Sequence, residues 1–393
     1  MFRELQHTFT NTFRWKSVLG SIEISVKESK IRGQIDGKPG EESVRRIKGI
    51  TENEKKVMFA LVEDADRTDA EIAEHMDMNE STVSQNRRSL IRKEYIEFLN
   101  VPSFHRLGFE LIGLVTNYVI PAMHPEISKE TYRRFFQDHP EIVDAVCLEF
   151  GLFCNGFFLD VTDFLRFIQE FESFFENQGW SRTKPSHIIF PFDISRCDYA
   201  YHYAPSLNRI FDLGIPDQTI SPPKPLKRSN VNLSKMERRV FSQLIASPNL
   251  PDAEIARGVN RSRQSVSDMK RKFLKLGLFK KVVFPTFRSG AYEIVAYVHL
   301  DFDSKMTFQK KISVAGNDWW LQSFNTVERN STLMAAYCFA DAEECTNSLR
   351  EYIKPFQESG LLMAEPEIVT FPVAASEDLL AYYAAPLIRR TLL

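Results

Sequence analysis

The sequence repeats itself at long range, and this limits the possible folds more than any single motif does. TDAEIAEHMDMNESTVSQNRRSLIRKEYI (Thr68 to Ile96) lies over PDAEIARGVNRSRQSVSDMKRKFLKLGLF (Pro251 to Phe279) without a gap, at an offset of 183. Asp69 to Ala73 match Asp252 to Ala256. Val83, Ser84 and Arg88 match Val266, Ser267 and Arg271, and Pro102, Phe104 and Glu110 match Pro285, Phe287 and Glu293. Farther on the offset becomes 181, where AYHYAP (Ala200 to Pro205) lies over AYYAAP (Ala381 to Pro386). A period this long means two copies of a multi-element unit, not a solenoid of short repeats. The joint between them, PDQTISPPKPLKRSNVN, has the polar, Pro-rich composition of a linker.

Each copy opens with a helix-turn-helix pattern. In the second copy the helices are expected at Ser234 to Ala246, at Pro251 to Gly258 and from about Ser262, with GVNRS as the short turn. On the third helix Val266, Met269, Phe273 and Leu276 recur every three or four residues and form a core stripe. LGLFKKVVFPTF then predicts the strands of a wing. The second half of each copy predicts strand, helix, strand, strand, helix, strand. In the first copy these fall at 111–120, 128–138, 143–150, 156–161, 164–177 and 187–192, and in the second at 294–302, 307–314, 321–327, 333–340, 343–358 and 367–372. That βαββαβ order implies a ferredoxin-like sandwich and an α+β class overall. The expected organisation is an N-terminal extension (1–48), a first winged helix-turn-helix (49–104), a first ferredoxin-like domain (105–209) and a linker (210–232). A second winged helix-turn-helix (233–287) and a second ferredoxin-like domain (288–393) follow. In the extension, SIEISVKESKIRGQID alternates as a short hairpin would.

Charge divides the two copies. RSRQSVSDMKRKFLKLGLFKK (Arg261 to Lys281) packs eight basic residues into a chain whose net charge is only -2. Ser234 to Pro285 holds 12 Lys and Arg against four Asp and Glu, whereas Thr51 to Pro102 holds seven against 12. Neutralising phosphates supplies the sequence-independent part of DNA affinity, so the second module is expected to be the better DNA reader. Arg261, Arg263, Gln264 and Ser265 stand at the helix start, where such helices meet base edges. Lys270, Arg271, Lys272, Lys275, Lys280 and Lys281 are the expected phosphate contacts. The corresponding residues of the acidic first module are Ser81, Thr82, Ser84, Gln85, Arg87, Arg88 and Arg92. An amphipathic helix with a solvated basic face is the plain alternative.

Other chemistries find little support. The five cysteines are odd in number and without CxxC, so reduced core thiols are expected and neither a disulfide frame nor a metal site is. No Walker-type loop, GxSxG or HExxH occurs. No apolar run reaches the roughly 18 residues of a membrane span, and the opening MFRELQHTFTNTFRWK has no leader-like core, so a cytoplasmic protein is expected. FLRFIQEFESFF (Phe164 to Phe175) is a core helix face. The repeated tails DYAYHYAPSLNR and LLAYYAAPLIRR read as packing segments.

NESTVSQNRRSLIRKEYIEFLNVPSFHRLGFELIGLV, with RSRQSVSDMKRKFLKLGLFKKVVFPTFRSGAYEIVAYV as its second version, resembles the Lrp/AsnC family of prokaryotic feast/famine transcription regulators. The resemblance covers most of both copies. It implies a tandem of winged helix plus RAM-like domain, duplex DNA as partner, and pairing of the two ferredoxin-like domains within the chain, with further homo-oligomers open. It also implies a small-metabolite effector near the turns EFGLFCNG (Glu149 to Gly156) and VERNS (Val327 to Ser331), where only Gly151 loosely matches the family's glycine. On this reading the chain is a regulator and not an enzyme, with no catalytic residue, cofactor or metal. Two other readings stay open. Relatives of this architecture include the sirohaem decarboxylases, which bind a tetrapyrrole and would make His105, His187 and His202 candidates; a scaffold that recruits other proteins is the third.

Overall fold

Short polar motifs set the helix starts. Thr51 and Glu54 cap α1 (Glu52–Glu63) reciprocally, Thr68 and Glu71 cap α2 (Asp69–His75), and Ser234 and Glu237 cap α7 (Lys235–Ala246). In each, the hydroxyl accepts from the N3 amide and the carboxylate accepts from the cap amide, so two otherwise orphaned donors are satisfied. In this computed structural model the described residues are 49–118, 125–148, 151–179, 184–198, 201–216, 225–375, 377–380 and 383–393. The expected hairpin within 1–48, Glu149 and Phe150 of the first turn, and much of the linker lie outside them. Ile47–Leu393 forms one compact unit.

The same succession of elements runs through the chain twice, with one additional short helix, α11, in the second pass. The first pass continues with α3 (Glu80–Arg92), β1 (Ile96–Pro102), β2 (Leu111–Tyr118), α4 (Pro125–Asp138), β3 (Ile142–Leu148), β4 (Gly151–Phe158), α5 (Val161–Gln178), β5 (Ser186–Pro191), β6 (Arg196–Asp198) and α6 (Ala204–Phe211). After α7 come α8 (Asp252–Val259), α9 (Arg263–Lys275), β7 (Phe279–Pro285), β8 (Ile294–Asp301), α10 (Phe308–Ala315) and α11 (Asp318–Leu321). They are followed by β9 (Asn325–Arg329), β10 (Thr332–Phe339), α12 (Ala342–Glu358), β11 (Glu367–Pro372), β12 (Glu377–Leu380) and α13 (Ala385–Leu392). The class is α+β, as expected.

Pairing crosses between the two passes. The sheets run β12-β3-β4-β2-β5 and β11-β8-β10-β9-β6, so each ferredoxin-like sheet ends on a strand from the other pass's tail. The tail helices stay within their own pass, α6 packing on α1 and α13 on α7. The sheets meet through side chains such as Phe153 and Tyr297, stacked at 3.9 Å. The expected wing is corrected. β1 and β7 pair with each other antiparallel, from Ile96 opposite Pro285 to Pro102 opposite Phe279, so neither strand forms a local hairpin. β4 also begins at Gly151, five residues earlier than expected, and Leu321, expected to open a strand, instead ends the short helix α11, so that β9 begins only at Asn325. Phe164, Phe167, Phe171 and Phe175 form the anticipated buried face of α5. All five cysteines are free thiols, four of them buried.

One exchanged strand is pinned by buried charge. Lys311 and Glu328, 0% and 1% exposed, form an ion pair. Lys311 also donates to the Arg329 carbonyl at 3.2 Å, and Arg196 of β6 approaches Glu328 at 3.3 Å. Burial pushes the Lys311 ammonium pKa down against the pull of Glu328. Removing one partner of such a pair strands a charge in the core, whereas a more exposed member costs less. Glu328→Gln is therefore expected to lower unfolding free energy by about 3–5 kcal/mol in a urea melt, and Arg196→Gln by about 1 kcal/mol.

Candidate nucleic-acid interface

α9 is held by a narrow apolar stripe and capped at its start. Val266 and Phe273 are fully buried, Phe273 meets Phe241 edge-on at 5.4 Å, and Met269 and Leu276 pack half-buried beside them. Asn260, at φ 55°, ends α8 in the left-handed conformation that asparagine tolerates, and the Ser262 hydroxyl accepts from the Ser265 amide at 3.2 Å. The turn thus presents the first residues of α9 outward. Arg261, Arg263 and Gln264 are exposed and Ser265 half-exposed.

The expected phosphate contacts divide into two groups. Lys275 and Lys280 are exposed, and among the described residues no ion pair engages them or Arg261 or Arg263. Arg271 pairs with Asp268 within α9, and Lys272 with Glu237 of α7. Both cations are more than half exposed, so screening by water leaves these pairs weak and free to exchange for phosphate. Lys270 is half-buried and donates to Asp252 at 3.3 Å, which ties α9 to α8. Lys281 lies 3.0 Å from Asp66 of the first module and over the Phe98 ring, so it braces the β1–β7 ribbon.

The first module shows the same division. Ser81, Gln85, Arg88 and Arg92 are exposed on α3, while Thr82 and Ser84 are half-buried. Arg87 is 2.7 Å from Asp69 and donates to the Arg67 carbonyl at 2.8 Å, which makes it a clamp between α2 and α3. Arg87 occupies the position of Lys270 in the repeat and Asp69 that of Asp252, so both modules use one basic residue to lock the helix-turn-helix. The signal lay in the repeat alignment, but an acid matched with an acid does not by itself reveal a cross-helix pair.

The three histidines are not brought together. His105 packs near Phe192, and burial with Arg106 nearby pushes its pKa down to about 4. His202 is also driven to about 4, by burial and by Lys280. His187 instead lines a cavity of about 310 Å³ between α5 and β5 on one side and β8, β9 and β10 on the other. That cavity also holds His299, Asp301, Arg329 and Thr332, which motif reasoning missed because they become neighbours only through strand pairing. Among the described residues no group of three or more His, Cys, Asp or Glu could hold a metal ion, and no helix is long and apolar enough to cross a membrane.

A family described as "Domain of unknown function (DUF8462)" matches residues 44–109. No curated protein matches the sequence. Among solved structures, that of the siroheme decarboxylase NirDL is similar over 86% of this chain and 98% of its own, at 10% identity and a TM-score of 0.47. Escherichia coli AsnC is similar over 36% of this chain and 93% of its own, at 11% identity and 0.28. An AsnC family transcriptional regulator from Agrobacterium tumefaciens gives 36% and 90%, with 12% identity and 0.29. The structural neighbours therefore include both AsnC-type regulators, over about a third of the chain, and an enzyme over most of it. The expectation that the chain is not an enzyme is corrected on that ground.

His299 gives its cavity a measurable signature. Burial opposes its charge, but Asp301 at 3.3 Å and Glu367 at 3.1 Å outweigh it and raise the pKa to about 9. A raised folded-state pKa contributes stability that is complete below the ordinary histidine value of about 6.5 and is lost as pH rises through about 9. Thermal stability is expected to fall by up to about 3 kcal/mol between those limits, and His299→Gln to flatten the profile there.

Proposed function

We propose that this chain binds duplex DNA in the manner of an Lrp/AsnC-type regulator, chiefly through α9, with the second helix-turn-helix as the reader. The observation that carries the reading is the exposed basic start of α9. Arg261, Arg263 and Gln264 project together from a capped helix whose opposite face is buried, the arrangement a major-groove reader needs. Lys275 and Lys280, with Arg271 and Lys272 released from weak pairs, supply phosphate contacts. Lys270 and Arg87 act by holding their helices. The acidic first module assists through Arg88 and Arg92 at most. The organisation into six segments, from the extension to the second ferredoxin-like domain at 288–393, belongs to this reading, as does the origin of the two passes in a duplication. A small-molecule effector bound by the ferredoxin-like domains belongs to the same reading.

A second reading is favoured by the β1–β7 pairing, which leaves neither module a free wing. It makes the chain an enzyme acting on a tetrapyrrole, as the siroheme decarboxylase does, with the inter-sheet cavity at His187 and His299 as its first place to look.

Duplex binding over a salt series, paired with visible titration of iron uroporphyrin III, separates the two. The DNA reading expects affinity to fall steeply with salt, by about a thousandfold or more from 50 to 200 mM if six or more phosphates are engaged, and to be lost in Arg263→Glu/Arg271→Glu. Arg88→Glu tests the first module without disturbing the Arg87 clamp. Flat, negligible DNA binding together with a saturable shift of the macrocycle band would overturn the first reading in favour of the second.

A further inference from the structure

A cavity of about 60 Å³ opens where β1, β3 and the segment 201–203 meet the face of the second sheet. Its walls are aromatic. Tyr203 stands at 80° to Phe284 with centroids 5.2 Å apart and lies parallel to Phe324 at 4.4 Å. Tyr201 meets Phe284 at 6.1 Å, and Tyr297, stacked on Phe153, closes the far side. Two carboxyl groups, Glu97 of β1 and Asp144 of β3, line the same space, and no lysine or arginine does.

The two acids differ. Asp144 accepts from Asn155 at 2.8 Å. Among the described residues no hydrogen bond or ion pair engages the Glu97 carboxylate, and burial alone pushes its pKa up. Neighbouring His202 is neutral at ordinary pH and brings no positive charge. A partly desolvated carboxylate without a counter-charge is costly, and the faces of tyrosine and phenylalanine rings carry negative potential. A cation relieves both.

The backbone supplies an independent observation. Tyr201 sits at φ 65°, in the left-handed region that a bulky side chain enters only at a cost of about 1–3 kcal/mol. That conformation sets its ring against the cavity wall. The feature is also specific to one side of the molecule, because the repeat places Lys280 where Glu97 stands and Ala384 where Tyr203 stands.

We propose that this cavity binds the ammonium head of a small organic cation, an alkylammonium group, caged by Tyr201, Tyr203, Tyr297 and Phe284 with Glu97 as its counter-charge. Its volume admits one such head and is far smaller than a nucleobase or a macrocycle requires. Glu97 is exposed on its outer side, so the rest of the ligand leaves past it into solvent. The site is independent of whether α9 binds DNA.

Calorimetric titration of the full chain with methylammonium and tetramethylammonium, against uncharged tert-butanol, tests it. Saturable binding of at least one ammonium ion and none of tert-butanol is expected. Glu97→Gln should weaken that binding about tenfold, and Glu97→Lys should abolish it, with neither variant melting below the wild type because the carboxylate has no partner to lose. Tyr201→Leu should weaken it severalfold. Absence of saturable binding by either cation, equal binding of tert-butanol, or undiminished affinity in Glu97→Gln would each overturn the proposal.

Discussion

The antiparallel pairing of β1 with β7 is the contact on which the rest of the structure depends. A two-stranded ribbon is marginal in water and gains stability only when its faces are covered. Here the cover comes crosswise, since α1 packs on β7 and α7 on β1. The buried Asn100 side chain of β1 donates to the Leu244 carbonyl of α7 at 2.9 Å, so even a polar group of the first pass is satisfied by the second. The tails extend the logic. β6 and β12 close the outer edges of the opposite sheets, while within each pass the tail helix covers the first helix, α6 on α1 and α13 on α7. Each half lacks the strand, the helix cover and part of the core that the other provides.

That dependence explains what could be read from the sequence. Local chemistry was legible: the stripe of Val266 and Phe273 and the βαββαβ succession emerge as read. Features set by distant partners were not. Gly156 suggests a turn, yet it lies inside β4, where a glycine is needed because a Cβ would sit 2.6 Å from the Glu141 carbonyl. The three residues of β6 have no pattern of their own and become a strand only against β9. The strand after each helix triplet was foreseen, but its partner is about 180 residues away rather than next in the chain.

The same reasoning sorts the basic residues. On a helical projection Arg87 and Arg88 are equivalent cations, but only Arg87 reaches Asp69 across the helix-turn-helix. Lys270 and Arg271 divide the same way, one toward Asp252 and the other toward solvent and Asp268. Clustered charge identified the surface, while the roles of its members depend on which face of α9 each one occupies. Lys281 shows the limit most clearly: its nearest acid, Asp66, belongs to the first module and could not be paired with it from spacing alone.

The two passes, alike in fold, differ at their seam. Glu97 and Lys280 occupy matching positions on strands β1 and β7, so the ribbon carries an acid on one half and a base on the other. Burial, with Lys280 nearby, keeps His202 neutral, whereas Glu97 faces an aromatic cavity with nothing to balance it. Because that cavity is lined by Leu99 of β1 and Phe284 of β7, an occupant touches both strands that carry the helix triplets. The inter-sheet cavity at His299 touches neither. A ligand at the seam is therefore placed where its binding energy acts on the junction of the two helix-turn-helix modules, and one at His299 acts only within the paired sheets. Such coupling requires a ligand to bind two arrangements of the seam unequally, and the ribbon, shared by both halves, is the element that could differ between them.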